Sequence, residues 1–419
     1  MSRVLLLSHT TGYQLRAFND AAEALGIELV FATDRCHKLD DPWQDRAIPV
    51  RFHELGASVD AIVARARQYP VDGVIAVGDR PVVLAAHAAE ALRLPWHSTE
   101  GAVASTDKRR SRAALAAAGL PSPRFAMRDA RGAISDSGFA TFPCVLKPLG
   151  LSGSRGVIRA NDAGEFDAAF ERIRALLARS QVRAARMGLE DQILVEQYID
   201  GREFAVEGVL TGGVLQVFAI FDKPDPLEGP FFEETIYVTP SREPAAAQGR
   251  ISEHVQQAGR ALGLSHGPIH AECRVTVEGT VYVLEVAARP IGGLCSRVLT
   301  FGGAGGASLE EVLLRHAVGE STAEFTREDA AAAVMMIPIP SRGMYKGLEG
   351  EADARAVPGV TDIRITAKVG QLLEPLPDAG SYLGFIFARG DTPSAAEASV
   401  RAAHQKLAFA VSRELTVSS

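Results

Sequence analysis

Cysteine is scarce. Cys36, Cys144, Cys273 and Cys295 are the only four in 419 residues, and no two form a CxxC pair or a framework spacing. That scatter argues against a disulfide scaffold and predicts reduced, mostly buried thiols in a cytoplasmic protein. A basic excess is also missing. Lys and Arg number 44 against 51 Asp and Glu, a formal net charge of −7, which argues against a nucleic-acid partner. The one basic cluster, Lys108, Arg109, Arg110 and Arg112, reads as a solvated helix face. No apolar run approaches the roughly eighteen residues of a membrane span, and residues 4–7 are too few for a signal-peptide core. Neither a GxGxxG after the first strand nor a GxxxxGK[ST] occurs, which sets aside a dinucleotide site there and a P-loop. There is no internal repeat and no low-complexity tract beyond alanine-rich helix surfaces.

What is present is an ordinary globular balance, with 47% hydrophobic and 23% charged residues over a length that predicts two to four packed units. Apolar runs at 4–8, 29–32 and 74–77, with a helical pattern at 15–25, predict an α/β domain built on a parallel sheet. A helix opens at Ser105-Thr106-Asp107 and stops at Gly119, before Pro121. A strand at 142–147 leads into a glycine-serine loop at 150–156, followed by an amphipathic helix over 162–180. Strands follow at 193–199, 204–210 and 214–220, then a helix at 251–262 and a strand pair at 270–277 and 281–287. Ser308 and Glu311 have capping-box spacing for a helix through His316, and a last helix is expected near 395–411.

The strand pair carries the most chemistry. If Glu278 and Gly279 form a tight two-residue turn, counting outward pairs Glu272 with Glu285, their Cβ atoms roughly 5 Å apart on one face. Facing like charges destabilise a sheet unless something neutralises them, and a hard divalent cation does so. Alternation adds His270, Ala287 and Arg289 to that face. The loop Leu151-Ser152-Gly153-Ser154-Arg155-Gly156 follows a strand ending in Lys147, an arrangement able to cradle phosphate. Glu196, Gln197, Tyr198 and Ile199, with Glu203 beyond, lie along another strand.

In this order the pieces resemble the ATP-grasp superfamily, over nearly the whole chain. The fold so implied is mixed α/β: an ATP-grasp fold with a Rossmann-like N-terminal α/β domain at 1–97. Linker helix and first ATP-grasp subdomain follow at 98–195, the second at 196–325, and a small C-terminal subdomain at 326–419. The resemblance implies ATP and one or two Mg²⁺ (or Mn²⁺). Lys108, Lys147, Ser152, Gly153, Ser154 and Gly156 would meet the phosphates, and Glu196 the adenine amino group. The Gln197–Ile199 backbone would complete the hinge, Glu203 would hold the ribose, and Glu272 and Glu285 the metal. Many members carry asparagine two residues after the second metal glutamate; Ala287 stands there instead, leaving the metal one protein ligand short. The form Glu285-Val286-Ala287-Ala288-Arg289, with His270-Ala271-Glu272 and Phe231-Phe232-Glu233-Glu234, looks like the branch containing bacterial L-amino acid ligases.

The activity implied joins a small-molecule carboxylate to an amine through an acyl phosphate, with release of ADP and phosphate. Arg289 and His270 would be catalytic. Glu233 or Glu234 would take a substrate ammonium group, and Gly292 and Gly293 would leave the pocket roomy. The resemblance also admits a homodimer. Two rival expectations are a carboxylating or purine-pathway relative that uses bicarbonate or formate, and a nucleotide-binding regulator without turnover.

Overall fold

The computed structural model describes residues 1–9, 14–34, 47–132, 141–184, 188–302 and 306–412; Cys36 falls outside them. Near the N-terminus, β1 (Arg3–Ser8), β2 (Glu28–Thr33), β3 (Ile48–Pro49) and β4 (Gly73–Val77) form a parallel sheet in the order β3-β2-β1-β4. Covering helices bury both faces of its centre, so β1 and β4 read as unbroken apolar runs. The helix Leu15–Leu25 ends at Gly26, whose φ of 64° is the left-handed C-cap that glycine adopts most cheaply.

A second sheet is antiparallel, with β5 (Phe125–Asp129), β6 (Cys144–Pro148), β7 (Ile158–Ala160) and β8 (Gln192–Gln197) in the order β5-β8-β6-β7. Helix Ala163–Leu177 packs Phe170, Ile173 and Leu177 against it, and Asp162 caps its first turn through the Glu165 amide.

The largest sheet uses β9 (Arg202–Thr211), β10 (Val214–Asp222), β11 (Ile236–Thr239), β12 (Gly267–Val275) and β13 (Val281–Ala287). After a small ladder of β14 (Thr300–Phe301) and β15 (Ala307–Ser308) come β16 (Ala331–Ile337), β17 (Gly343–Glu349) and β18 (Val360–Ile365). The last strands are β19 (Leu372–Leu373), β20 (Gly384–Gly390) and β21 (Ala408–Ser412). Eight of these make one sheet in the order β13-β12-β9-β10-β11-β16-β20-β18, while β19, β17 and β21 form a separate ladder. The large sheet therefore runs straight across the expected division at residue 325. Helix Leu309–Ala317 opens on the capping box of Ser308 and Glu311.

Two expectations change. The final helix is Pro393–His404, shorter than expected, and the residues after it extend as β21. The β12–β13 turn is not a two-residue turn: Thr276 N donates to Thr280 O (3.0 Å) around a three-residue loop in which Gly279 is left-handed, at φ 83°. Near the turn Arg274 faces Tyr282 and Cys273 faces Val283; then Leu284 bulges out and Glu272 faces Glu285. The longer loop and the bulge shift the register in opposite directions, so the predicted glutamate pair forms by two departures that cancel.

Candidate functional site

Three neighbouring strands build the site as cross-strand rows. Glu203 on β9 lies beside Arg274 on β12; Ala205 beside Glu272, which faces Glu285; and Glu207 beside His270, which faces Ala287. Strand alternation puts all of these on one face. Ala205 and Ala287, being small, keep the glutamate row open. A cavity of about 270 Å³ lies over that face, closed by β6, β8, the loop after β6 and the segment around Tyr382. Lys108, Lys147, Ser152, Gly153, Ser154, Glu196 to Ile199, Glu203, Glu234, His270, Glu272, Glu285, Arg289, Gly292 and Gly293 all line it. Among the expected residues, Gly156 and Glu233 do not; the Gly156 amide donates instead to Pro377 O (2.8 Å).

At the nucleotide end, Asp107 caps the helix Lys108–Ala117 through the Arg109 and Arg110 amides. Lys108 and Arg112, one turn apart, then point inward together. This corrects the reading of Arg112 as part of a solvated face: it is 1% exposed, with Nε donating to Glu196 (2.9 Å) and Nη1 to the bulged Leu284 carbonyl (2.6 Å). Lys147 takes the other Glu196 oxygen. Burial alone would push the Glu196 carboxyl up, but Arg112 and Lys147 hold it down at about 2. Glu196 was expected to meet the adenine amino group; both its oxygens are already engaged, by Arg112 and Lys147. The Ser152–Gly156 loop turns through left-handed Gly153, Ser154 and Gly156, and Lys108 Nζ donates to Leu151 O (3.0 Å) at its start.

At the carboxylate end, Lys223, which the sequence reading did not single out, is the organising cation. Its Nζ reaches Glu203 (2.8 Å), Glu234 and Glu272 (3.2 Å), and Glu203, Glu234 and Glu272 each bring an oxygen within 4.8 Å of one another. Lys223 and Arg274 hold the Glu203 carboxyl at about 2 against burial. Burial and the neighbouring Glu234 push Glu272 up to about 8. A carboxyl so reluctant to ionise, facing Glu285, is a hard-oxygen pair that gains its charge most easily beside a divalent ion, so the donor set fits such an ion. Counting outward from the β9–β10 turn would not have found Lys223: a bulge between Val217 and Ala219 shifts the register by one, so that Asp222 pairs with Phe204 and the next residue falls opposite Glu203.

His270 Nδ1 lies 3.1 Å from Glu207, whose two oxygens accept from the Ile291 amide at 3.1 Å each. Burial pushes Glu207 well above, and His270 well below, their ordinary values. Gln14 donates to the Ile291 carbonyl, so the turn after Arg289 is gripped from both sides. A Cβ on Gly292 would meet open space, whereas one on Gly293 would press on Phe385 at 3.0 Å; of the two glycines, only Gly292 leaves the chamber free.

Three family models match the chain in sequence order: an ATP-grasp N-terminal domain at 19–96, an ATP-grasp domain at 140–298 and an L-amino acid ligase C-terminal domain 2 at 335–412. The chain belongs to the ATP-grasp superfamily, on the carboxylate–amine ligase branch that includes the bacterial L-amino acid ligases. The crystal structure of L-amino acid ligase from Bacillus licheniformis superposes with a TM-score of 0.82 at 27% identity, covering 99% of each chain. The Sinorhizobium fredii protein y4rH is 26% identical, covering 98% of this chain and 84% of that protein. Alanine–anticapsin ligase of Bacillus subtilis is 27% identical, over 55% of this chain and 51% of its own length. No helix among the described residues is long and apolar enough to cross a membrane.

Proposed function

We propose that this chain is an L-amino acid ligase, joining two amino acids, or an amino acid and a closely related amine, at the expense of Mg·ATP. The observation that carries the reading is the row of Glu272 facing Glu285, sharing one cavity with Arg289, Lys147 and the Glu196–Ile199 hinge. Tyr198, Ile199, Val145 and Leu284 line an apolar slot able to take a base, and Glu203, on the same cavity wall, would hold the ribose. Glu196 is then a positioning residue, which fixes Lys147 for the phosphates.

In the first step a substrate carboxylate oxygen attacks the γ-phosphorus, and the bond to the β-phosphate oxygen breaks. Phosphoryl transfer needs mainly positioning and charge neutralisation, which Lys108 and Lys147 supply. A divalent ion held by Glu272 and Glu285 would neutralise phosphate charge when bound. In the second step the amine attacks the acyl carbon and phosphate leaves. Arg289 meets the developing oxyanion, and His270, kept neutral by burial and by nearby Arg289 and Lys223, takes the amine proton. Glu234, already shared with Lys223 and the Tyr237 hydroxyl (2.9 Å), would orient a substrate ammonium group. Cys295, Met336, Tyr382 and Phe385 give the far end of the chamber an apolar wall suited to an uncharged side chain.

The test is ADP release with Mg·ATP against paired amino acids, with mass spectrometry of the products. Release that needs two amino acids, with a product mass equal to their sum less water, is the expected result. Release that needs bicarbonate or formate moves the chain to a carboxylating or purine-type reaction, and no release with any pair leaves a nucleotide-binding regulator. Glu285→Ala is expected to abolish the Mg²⁺-dependent turnover while the fold persists by circular dichroism; near-normal activity would remove the carboxylate pair from the mechanism.

A further inference from the structure

No described residue before Lys108 lines the cavity, yet the N-terminal domain reaches its wall, through Gln14 on the Ile291 carbonyl and through Asp79 on Arg289. β4 ends at Val77; Gly78, left-handed at φ 85°, turns the chain off the sheet and delivers Asp79. This is the carboxyl end of a parallel sheet, where open α/β folds present residues to ligands. Asp79 Oδ1 accepts from Arg289 Nε at 2.6 Å, across 210 residues of sequence. Arg289 Nη1 donates to its own neighbour's carbonyl, Pro290 O, at 3.1 Å. With Nε and one Nη1 hydrogen so held, the fork has one orientation, and the Nη2 hydrogens are donors left for an anion in the cavity. Lys108 and Ser152, one from the phosphate helix and one from the covering loop, also bear on the Asp79 carboxylate.

We infer that Asp79 is the positioning residue for Arg289, aiming its guanidinium at the acyl phosphate from the N-terminal domain. The inference rests on the proposed acyl-phosphate chemistry. Glu207 and Gln14 fix the backbone of the turn at Ile291, but the long Arg289 side chain needs a partner of its own to stay in one rotamer, and a displacement of about 1 Å at such a centre costs up to about 100-fold in rate. Asp79 is therefore expected to act on turnover while leaving nucleotide affinity nearly unchanged.

The experiment is a double-mutant cycle on the full chain, with Asp79→Ala, Arg289→Ala and the double variant, and Asp79→Glu as the conservative control. Hydroxamate formation is measured with Mg·ATP, hydroxylamine as the amine and the twenty protein amino acids as carboxylate donors. AMP-PNP affinity is measured in parallel. The expected result is a roughly 30- to 100-fold loss of rate in Asp79→Ala with AMP-PNP affinity within threefold. Asp79→Glu should recover a substantial part, and Asp79→Ala should add less than twofold once Arg289 is gone. A rate near that of the unaltered protein in Asp79→Ala, or full additivity in the double variant, overturns the inference. If the unaltered protein forms no hydroxamate, the acyl-phosphate reading fails, and the role given to Asp79 is overturned with it. Hydroxamate in the unaltered protein with additive losses in the cycle overturns Asp79 alone.

Discussion

Glu196 shows what a single buried carboxylate does here. It neutralises two cations at once, Arg112 and Lys147, in a place where none of the three could stand alone. Removing one partner of a buried ion pair typically costs about 3–5 kcal/mol, because the other charge is left uncompensated. Glu196→Gln is therefore expected to lower unfolding free energy by an amount of that order in urea titration and to weaken ATP binding through a displaced Lys147. A variant as stable as the parent would show that the two cations find other partners. The placing of Glu285 opposite Glu272 was legible in the sequence only because the longer loop and the bulge cancel, and the strand through Glu196 was legible from its apolar pattern. Arg112, Asp79, Glu207 and Lys223 were not, because each is defined by a partner on another element: Arg112 by Glu196 on β8, Asp79 by Arg289 after β13. Helical spacing from Lys108 was the one available hint for Arg112.

At the scale of elements, the Ser152–Gly156 loop is not a free flap. Its Gly156 amide donates to Pro377 O (2.8 Å) and Arg155 Nε to Asp378 O (3.0 Å). Behind it, Arg172 pairs with Asp378 (2.8 Å) and Arg179 with Glu374 (3.1 Å). The segment 374–380 thus straps the first ATP-grasp sheet to the C-terminal part. Partly exposed pairs contribute about 0.2–1 kcal/mol each, so the double variant Glu374→Ala, Asp378→Ala should raise the KM for ATP about three- to tenfold and speed tryptic cleavage after Arg155. Unchanged KM and unchanged cleavage would show that the strap does not hold the loop. Capping and glycine signals made most helices readable, including 15–25 and the box at Ser308. The β12–β13 turn was misread because nothing in a Glu-Gly pair separates a two-residue turn from the last two positions of a three-residue one.

On the scale of the whole molecule, the seam between the N-terminal domain and the large sheet is lined by imidazoles. His97 Nε2 lies 3.1 Å from Pro268 O, and His316 stacks on His266 at 4.4 Å. Burial pushes His97 and His316 down to about 4. An unfolded imidazole takes up its proton near 6.5, so each contributes stability that is complete above that pH and is lost as pH falls toward 4. For His97 the loss at pH 5 is about 2 kcal/mol. Glu207 and Glu272, raised by burial, act in the opposite sense, so the histidine effect is read as a difference between proteins. Relative to the parent, His97→Gln should gain in Tm between pH 7 and pH 5; a constant offset would place the titrating group elsewhere.

The eight-stranded sheet has a consequence for cutting the chain. Its strands come from both sides of residue 325, with β11 of the earlier part paired directly to β16 of the later. A break there would not release two finished bodies. It would leave two half-sheets, each with an open hydrogen-bonding edge that only the other matches. Fragments 1–325 and 326–419 should be poorly soluble apart and regain ligase activity when co-expressed, as a split enzyme whose signal reports the meeting of its halves.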